Sequence, residues 1–507
     1  MSAVLLGREE RRVLASVSVN FGEELPEYGQ ESGFISGGSD GEVHSDPMMW
    51  LDALDRVLDK LRDGGVDLAQ VEAVSGSGQQ HGSVYLNERF EEVVGDLDEG
   101  DSLSGQLRGC LSRATAPIWM DTSTGEECAE IAEAVGGDAE VCRRSGSVAI
   151  ERFTGPQIRK FFKREPEAYA ETARIHLVSS FLASVLAGKS VGIDRGDGAG
   201  MNLMNLAEGD WDEGLLEATG PGLREKLPEV VDSGEVVGEV GSYFVGKYGF
   251  SRSCRVVAWS GDNPCSLVGM GAARPGKVVI SLGTSDTLFA AMPEAVTDPR
   301  GYGHVFGNPM GGFMSLICFR NGSLAREAVK ERYGLGWEDF EVDGLARTPA
   351  GNGGRVVLPF VDDEITPRVA SKGLVGVGWE GEPTANEMVR GILEGQFLNM
   401  KRHSDWLGVE TEEILMTGGA SENDGIAQVA ADVFGKRVRR LEVAGSAALG
   451  AAVRAAVALG DDLEAWEAAV SSPAAGRDVE PRRENAAIYA ELEKTFAEAL
   501  KNHFKLT

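Results

Sequence analysis

Three short turns in this chain carry residue types that could do chemistry on a hydroxyl and a phosphate. In RVVAWSGDNPCSLVGMGAARPGKVVISLGTSDT (255–287), Asp262 and Asn263 stand where a strand gives way to a helix, and Gly283, Thr284 and Ser285 turn between two strands. A carboxylate at a helix start can take a proton from a hydroxyl, and a Gly-Thr-Ser turn offers N–H and O–H groups to phosphate oxygens. In MTGGASENDG, Gly418, Gly419 and Ala420 let backbone approach a flat or phosphorylated group, and Asn423 lies near a helix start with a side chain able to read an edge. Each turn also has a plainer reading. Asp262 suits a helix cap with Pro264 in the first turn, Gly283–Ser285 suits a hairpin, and a Gly-Gly turn before a helix says little alone. All three fall in one half of the chain, in this order, and that favours chemistry.

A fourth loop, GSGQQHG, sets Gln79, Gln80 and His81 among three glycines at the end of a short strand. Glycine there gives the backbone the freedom to crowd polar side chains around a small ligand, although a lone histidine also serves as a structural one. Asp121, in PIWMDTSTG, is a candidate cap for the helix from Gly125. The segment ERFTGPQIRKFFK is basic in an acidic protein, and pairing with local acids accounts for most of Arg152, Arg159, Lys160 and Lys163. LAGKS near residue 190 is not a P-loop, because Ala183 stands where that motif needs glycine.

The elements that must position these loops alternate. SAVLLG and VLASVSVNF read as strands joined at Arg8–Arg12, and the Gly/Ser-rich 31–42 reads as a loop. A helix follows with Asp46 as cap, Pro47 in the first turn, Leu51, Leu54, Leu58 and Leu61 on one face, and Gly64 and Gly65 at its end. VEAVS is a strand, and ARIHLVSSFLASVLAG is expected as one buried helix. EEILMTGGASENDGIAQVAADVFGKRVRRLEV (412–443) reads as strand, glycine turn, helix, strand. A small-residue helix then precedes a terminal one with Ile488, Leu492, Phe496 and Leu500 inward. Glycine turns at the ends of alternating strands and helices predict open α/β sheets with ligands at the strand ends.

Composition narrows the partners. Across 507 residues, 80 acidic against 49 basic side chains give a net charge of −31, a field that disfavours nucleic acid and anionic membranes as partners. Apolar residues at 42% and charged ones at 25% are ordinary for a globular protein with several domains' worth of core. Six scattered cysteines without metal-ligand spacing argue for a reducing compartment. No run approaches the ~20 apolar residues of a membrane span, and MSAVLLGREERR carries its charges in the reverse order of a signal peptide. A cytoplasmic location follows, with a homodimer left open.

The motifs LPEYG, GSGQQHGSVY, PIWMDTSTGEEC, ERFTGPQI, GDGAGMNL, SGDNP, SLGTSDTLF, NGSLAREAV and TGGASEND together resemble the FGGY family of carbohydrate kinases. The match runs from about Leu25 to the terminal helix, and GQQHG, ERFTG and GDNP point to its animal-like xylulokinase branch. The resemblance implies an actin-like (ribonuclease H-like) α/β ATPase fold of two lobes, 1–253 holding sugar and 254–507 holding nucleotide and the catalytic aspartate, with the active site in the cleft between them. It implies transfer of the ATP γ-phosphate to D-xylulose, with Mg²⁺ bridging the terminal phosphates. Asp262 would be the general base, at a near-ordinary pKa, and His81, Arg152, Asp262 and Asn263 would hold the ketose. Trp337, Gly419, Ala420 and Asn423 would flank adenosine, and Gly283 and Thr284 would lie on the phosphate loop. Rival readings are a sugar-binding pseudokinase and a kinase for another ketose or polyol.

The family also opens with a hairpin bearing an Asp-x-Ser/Gly-Thr phosphate loop, which these residues do not include; Met1 falls on its returning strand. The expectation is therefore two strand edges left without a partner inside the first lobe, and a polypeptide that is either incomplete as written or poorly active, the first being favoured.

Overall fold

The computed structural model describes residues 1–38, 40–441, 445–473 and 476–506. Position 39 of the early glycine-rich loop and positions 442–443 of the last strand–turn–helix–strand unit lie outside them. Contacts group the chain into two compact units: Met1–Ala273 with Val305–Phe313 and Ala444–Ser471, and Arg274–His304 with Met314–Val443 and Ser472–Thr507. By packing, therefore, Asp262 and Asn263 fall with residues 1–253 rather than with the rest of 254–507. The helix that begins at Asp262 lies against Ser446–Ala458, inside the first unit.

The first unit forms where the sequence patterns ask it to. Asp46 accepts a hydrogen bond from Met48 N at 2.9 Å and caps the helix Pro47–Asp63, whose Leu51, Leu54, Leu58 and Leu61 are buried. Ser2–Gly7 and Arg12–Ser18 form an antiparallel pair. Two adjacent parallel runs position the site. Ala73–Val74 pairs with Arg255–Val257, and farther along the same chains Ser77–Gly78 pairs with Ser260–Gly261. Gln79–His81 and Asp262–Asn263 thus leave neighbouring strand ends together, the position where open parallel sheets present ligand loops. The expected helix over 173–188 is a strand, Arg174–Leu177, followed by the helix Val178–Ala187. Arg174–Leu177 pairs with Ser83–Leu86, and that pairing overrides local helix preference.

Among the described residues, Ser2–Gly7 pairs with Arg12–Ser18 alone, and Ala73–Val74 with Arg255–Val257 alone. A cavity of about 600 Å³ opens beside both strands, lined by Leu54, Leu58, Leu182, Trp259 and Ala455 among others. The indole Nε1 of Trp259 is buried without a hydrogen-bond partner among the described residues.

Glycine makes the contact between Asp262–Gly269 and Ser446–Ala458 possible. A Cβ on Gly450 would come 1.8 Å from the Cys265 carbonyl oxygen, and one on Gly269 2.0 Å from that of Ser446. Alanine at a helix interior normally gains about 1 kcal/mol over glycine, but backbone cannot yield as a side-chain tip can. Gly450→Ala is therefore expected to lower the denaturant midpoint, for a net cost of about 1–3 kcal/mol typical of overpacking. An unchanged or raised midpoint would show that the helices separate freely.

In the second unit the strands Phe313–Phe319, Asp286–Met292, Lys277–Ser281, Glu413–Thr417 and Arg437–Arg440 lie side by side, in that order, as part of a six-stranded mixed sheet. Lys277–Ser281 is antiparallel to Asp286–Met292, closing a hairpin at Gly283–Ser285, and parallel to Glu413–Thr417. The terminal helix Ala486–Phe504 buries Tyr489, Leu492, Phe496, Ala499 and Leu500. Ile488, expected inward, is 41% exposed, and Tyr489 takes the inward place, its hydroxyl donating to Glu394 at 2.9 Å.

Candidate active site

In the first unit the structure brings His81, Arg152, Asp262 and Asn263 together. Asp262 is the first residue of the helix Asp262–Gly269; its N-cap is Gly261, so capping does not explain the aspartate. Its Oδ1 accepts from Asn263 N at 2.8 Å and from Asn263 Nδ2 at 3.2 Å. Burial outweighs these bonds and raises its pKa to about 6, above the near-ordinary value expected from sequence.

His81 takes a left-handed backbone, φ 73°, unusual for a side chain other than glycine. Thr154 Oγ1 donates to its carbonyl at 3.0 Å, and its ring stacks on Phe153 with centroids 4.1 Å apart. Its Nδ1 lies 2.7 Å from the Gly200 carbonyl oxygen, so the neutral ring donates there and keeps Nε2 as its acceptor. Burial, helped by the nearby Arg152 charge, depresses its pKa to about 3 and keeps the imidazole neutral at physiological pH. The Arg152 guanidinium lies 5.7 Å from the Phe153 ring centre.

Asp121 has a different role from the expected cap. Thr124 is the N-cap of Gly125–Val135. Asp121 is fully buried and accepts from Val43 N, Ser123 N, Ser123 Oγ and Gln157 Nε2, which holds its carboxyl below its ordinary range despite burial. The basic segment is paired as expected: Arg159 with Glu130, Lys160 with Glu42, and Lys163 with Glu126, Glu127 and Glu130.

In the second unit, Gly283, Thr284 and Ser285 are exposed at the hairpin tip. Sequence reasoning missed what anchors them. Gly283 N donates to Asp286 Oδ1 at 3.1 Å, and buried Arg326 forms a two-pronged pair with Asp286 at 3.0 and 3.1 Å. Arg326 also donates to the Gly283 carbonyl at 3.2 Å and to Gln396 Oε1 at 3.1 Å. An arginine three residues into the helix Ser323–Tyr333 carries no local signal of this, because its partner lies 40 residues away. The second glycine turn packs beside the first: Leu282 N donates to Thr417 O at 2.9 Å, and a Cβ on Gly418, φ 91°, would come 2.2 Å from the Leu282 carbonyl oxygen. Gly419 and Ala420 lie in the short 3₁₀ helix Gly419–Glu422. Asn423 caps the helix Asp424–Phe434, accepting from Ile426 N at 2.9 Å, so its side-chain oxygen is committed to the backbone. Trp337 is 48% exposed, with Lys330 Nζ 4.7 Å from its ring centre and Phe340 beside it.

A buried helix-start carboxylate with hydrogen-bonding neighbours in one α/β unit, and paired glycine turns at strand ends in the other, are features of a kinase with the two-domain actin-like ATPase fold. The profile of the N-terminal domain of the FGGY family of carbohydrate kinases matches residues 112–269, and that of its C-terminal domain residues 278–459. The chain belongs to the FGGY family of carbohydrate kinases and is an enzyme. It is 40% identical over 503 residues to a xylulose kinase of Rattus norvegicus, covering 96% of this chain and 92% of the relative. It is 41% identical over 463 residues to xylulose kinase 2 of Arabidopsis thaliana, covering 88% and 83%. The crystal structure of xylulose kinase from Rhodospirillum rubrum shares the fold with a TM-score of 0.83 at 21% identity, covering 99% and 96%.

Proposed function

We propose that the protein transfers the γ-phosphoryl group of ATP to D-xylulose, giving D-xylulose 5-phosphate and ADP. The observation that carries this reading is Asp262, a helix-start carboxylate of raised basicity grouped with His81, Arg152 and Asn263; the rat and Arabidopsis relatives, xylulose kinases at about 40% identity, supply the substrate.

The sugar's terminal hydroxyl oxygen attacks the γ-phosphorus while the bond to the β,γ-bridging oxygen breaks, and Asp262 receives the hydroxyl proton. His81 Nε2 accepts from one ketose hydroxyl, Arg152 donates to the sugar's oxygens, and Asn263 Oδ1 accepts from another hydroxyl. Phosphoryl transfer of this kind depends on positioning and charge neutralisation more than on covalent chemistry. Gly283 and Thr284 are assigned to the phosphates, and Trp337, Gly419, Ala420 and Asn423 to the adenosine.

Mg²⁺ belongs to this reading as the usual companion of nucleotide phosphates. Among the described residues no group of three or more His, Cys, Asp or Glu side chains could hold a metal ion, and no step is assigned to the ion. Thiols that form no disulfide are in keeping with a reducing cytoplasm as the working compartment.

The test is ADP release by purified protein, coupled to NADH oxidation, with D-xylulose, D-ribulose, glycerol and gluconate compared. D-Xylulose is expected to show the highest kcat/KM. Turnover with another ketose or polyol and none with D-xylulose would overturn the substrate.

A further inference from the structure

The proposed chemistry leaves one buried polar side chain beside Asp262 without a task. Gln80 is 2% exposed, one residue before His81. Its Oε1 accepts from Asn263 Nδ2 at 2.9 Å. Its Nε2 is buried without a partner among the described residues. The side chain therefore spends its one recorded hydrogen bond on Asn263.

The geometry of that bond matters because Asn263 Nδ2 carries two hydrogens. One goes to Gln80, and the other points to Asp262 Oδ1 at 3.2 Å. Fixing the first fixes the second. Gly261, immediately before Asp262, is what allows the approach: a Cβ there would lie 2.5 Å from Gln80 Cγ and 3.0 Å from Asp197 Oδ1. Asp197 is itself fully buried and accepts from Ser179 Oγ at 2.5 Å through Oδ2, while Oδ1 has no hydrogen-bond partner among the described residues. Burial and the neighbouring Asp194 push its carboxyl well above the ordinary range.

We propose that Gln80 is a positioning residue for the phosphoryl transfer: by holding the Asn263 amide it aims that amide's second N–H at Asp262 Oδ1, and so orients the carboxylate toward the sugar hydroxyl. This rests on Asp262 being the base in the reading above. Gln80 sets its orientation without touching the reacting atoms.

Asp262 and Asp197 act on each other electrostatically, Asp194 and Arg454 are the other charges near Asp197, and Arg152 is the charge near His81. None changes when Gln80 loses its acceptor. Hydrogen bonds to a carboxylate favour its charged form, so loss of Gln80's hold on Asn263 raises the pKa of the base.

The experiment compares the wild type with Gln80→Met, which keeps the volume and removes the acceptor, and Gln80→Asn, which keeps the amide but draws it back by one methylene. Both are expected to lower kcat about tenfold or more, to leave KM for ATP unchanged, and to move the acid limb of kcat/KM for D-xylulose to higher pH. In an Asn263→Ala background Gln80→Met is expected to add little, since the two act as one unit. If either folded variant keeps wild-type kcat and pH profile, or if the two substitutions multiply independently, Gln80 is not a positioning residue. A wild type without xylulose kinase activity would instead remove the reading beneath it.

Discussion

Asp262→Asn is expected to lower kcat by a factor of about 10²–10⁴, the usual contribution of a positioned general base, and at the same time to make the protein more stable at pH 8. Both effects come from the same burial. In the wild type the carboxylate must be ionised to accept the hydroxyl proton, so kcat/KM rises with pH through about 6, where burial places the group. That position lies above the 3.8 of an ordinary aspartate, so the folded state holds the proton more tightly than the unfolded one. The stability this confers is present below about 3.8 and lost as pH rises through about 6; above that the folded protein carries a charge that burial disfavours. Asparagine removes the charge and can still accept from Asn263 N. A gain of about 1–3 kcal/mol at pH 8, vanishing toward pH 4, follows from about 1.4 kcal/mol per pKa unit with allowance for partial exposure. Initial rates and thermal midpoints across pH check both halves. Full activity in the variant would remove Asp262 as base, and equal stability at pH 8 would remove the strain.

Arg326→Met should be the most destabilising single change in the second unit. Arg326 is 2% exposed and spends its guanidinium on Asp286, Gly283 O and Gln396. Leaving one partner of a buried pair behind costs about 3–5 kcal/mol, whereas replacing both sides can be nearly neutral. Asp286 already has its pKa raised by burial even with Arg326 beside it. Without the arginine that rise grows, so the loss should be largest at pH 7–8 and shrink toward pH 5, as Asp286 takes up a proton in the folded state. Arg326→Met combined with Asp286→Leu should recover part of the stability. KM for ATP should rise in both variants, because the Gly283–Ser285 turn loses its anchor. Urea titrations at pH 5 and 7.5 decide the matter: a pH-independent loss would mean that Asp286 is not the group left stranded.

Local signals carried much of the fold. The Asp46 cap, Pro47 and the leucine spacing specify a helix with no help from elsewhere, and Pro47–Asp63 is that helix. The carboxylate turn and both glycine turns sit at strand ends, because glycine and helix-start residues restrict the backbone locally wherever the chain goes next. Arg174–Leu177 failed by local reading, since its strand exists only through Ser83–Leu86 on another part of the chain. Ile488 failed for a similar reason: helical period gives a stripe, and packing selects which edge of the stripe turns inward.

The candidate site divides the same way. The residue types around the proposed chemistry, Asp262, Asn263, His81 and Arg152, were legible in the sequence, as was the kinase family from the density of its motifs. What only the tertiary structure decided are matters of environment: a base raised to about 6, a histidine held neutral by burial, an asparagine at 423 spent on a helix cap, an aspartate at 121 locked in structure. It also decided that Gln80 reaches Asn263 across 183 positions, and that the Asp262 helix packs with the first unit. A sequence specifies which groups are present and the local turns that bear them. Burial, pKa and long-range hydrogen bonds depend on which distant segments surround each group, and those neighbours exist only once the chain has folded.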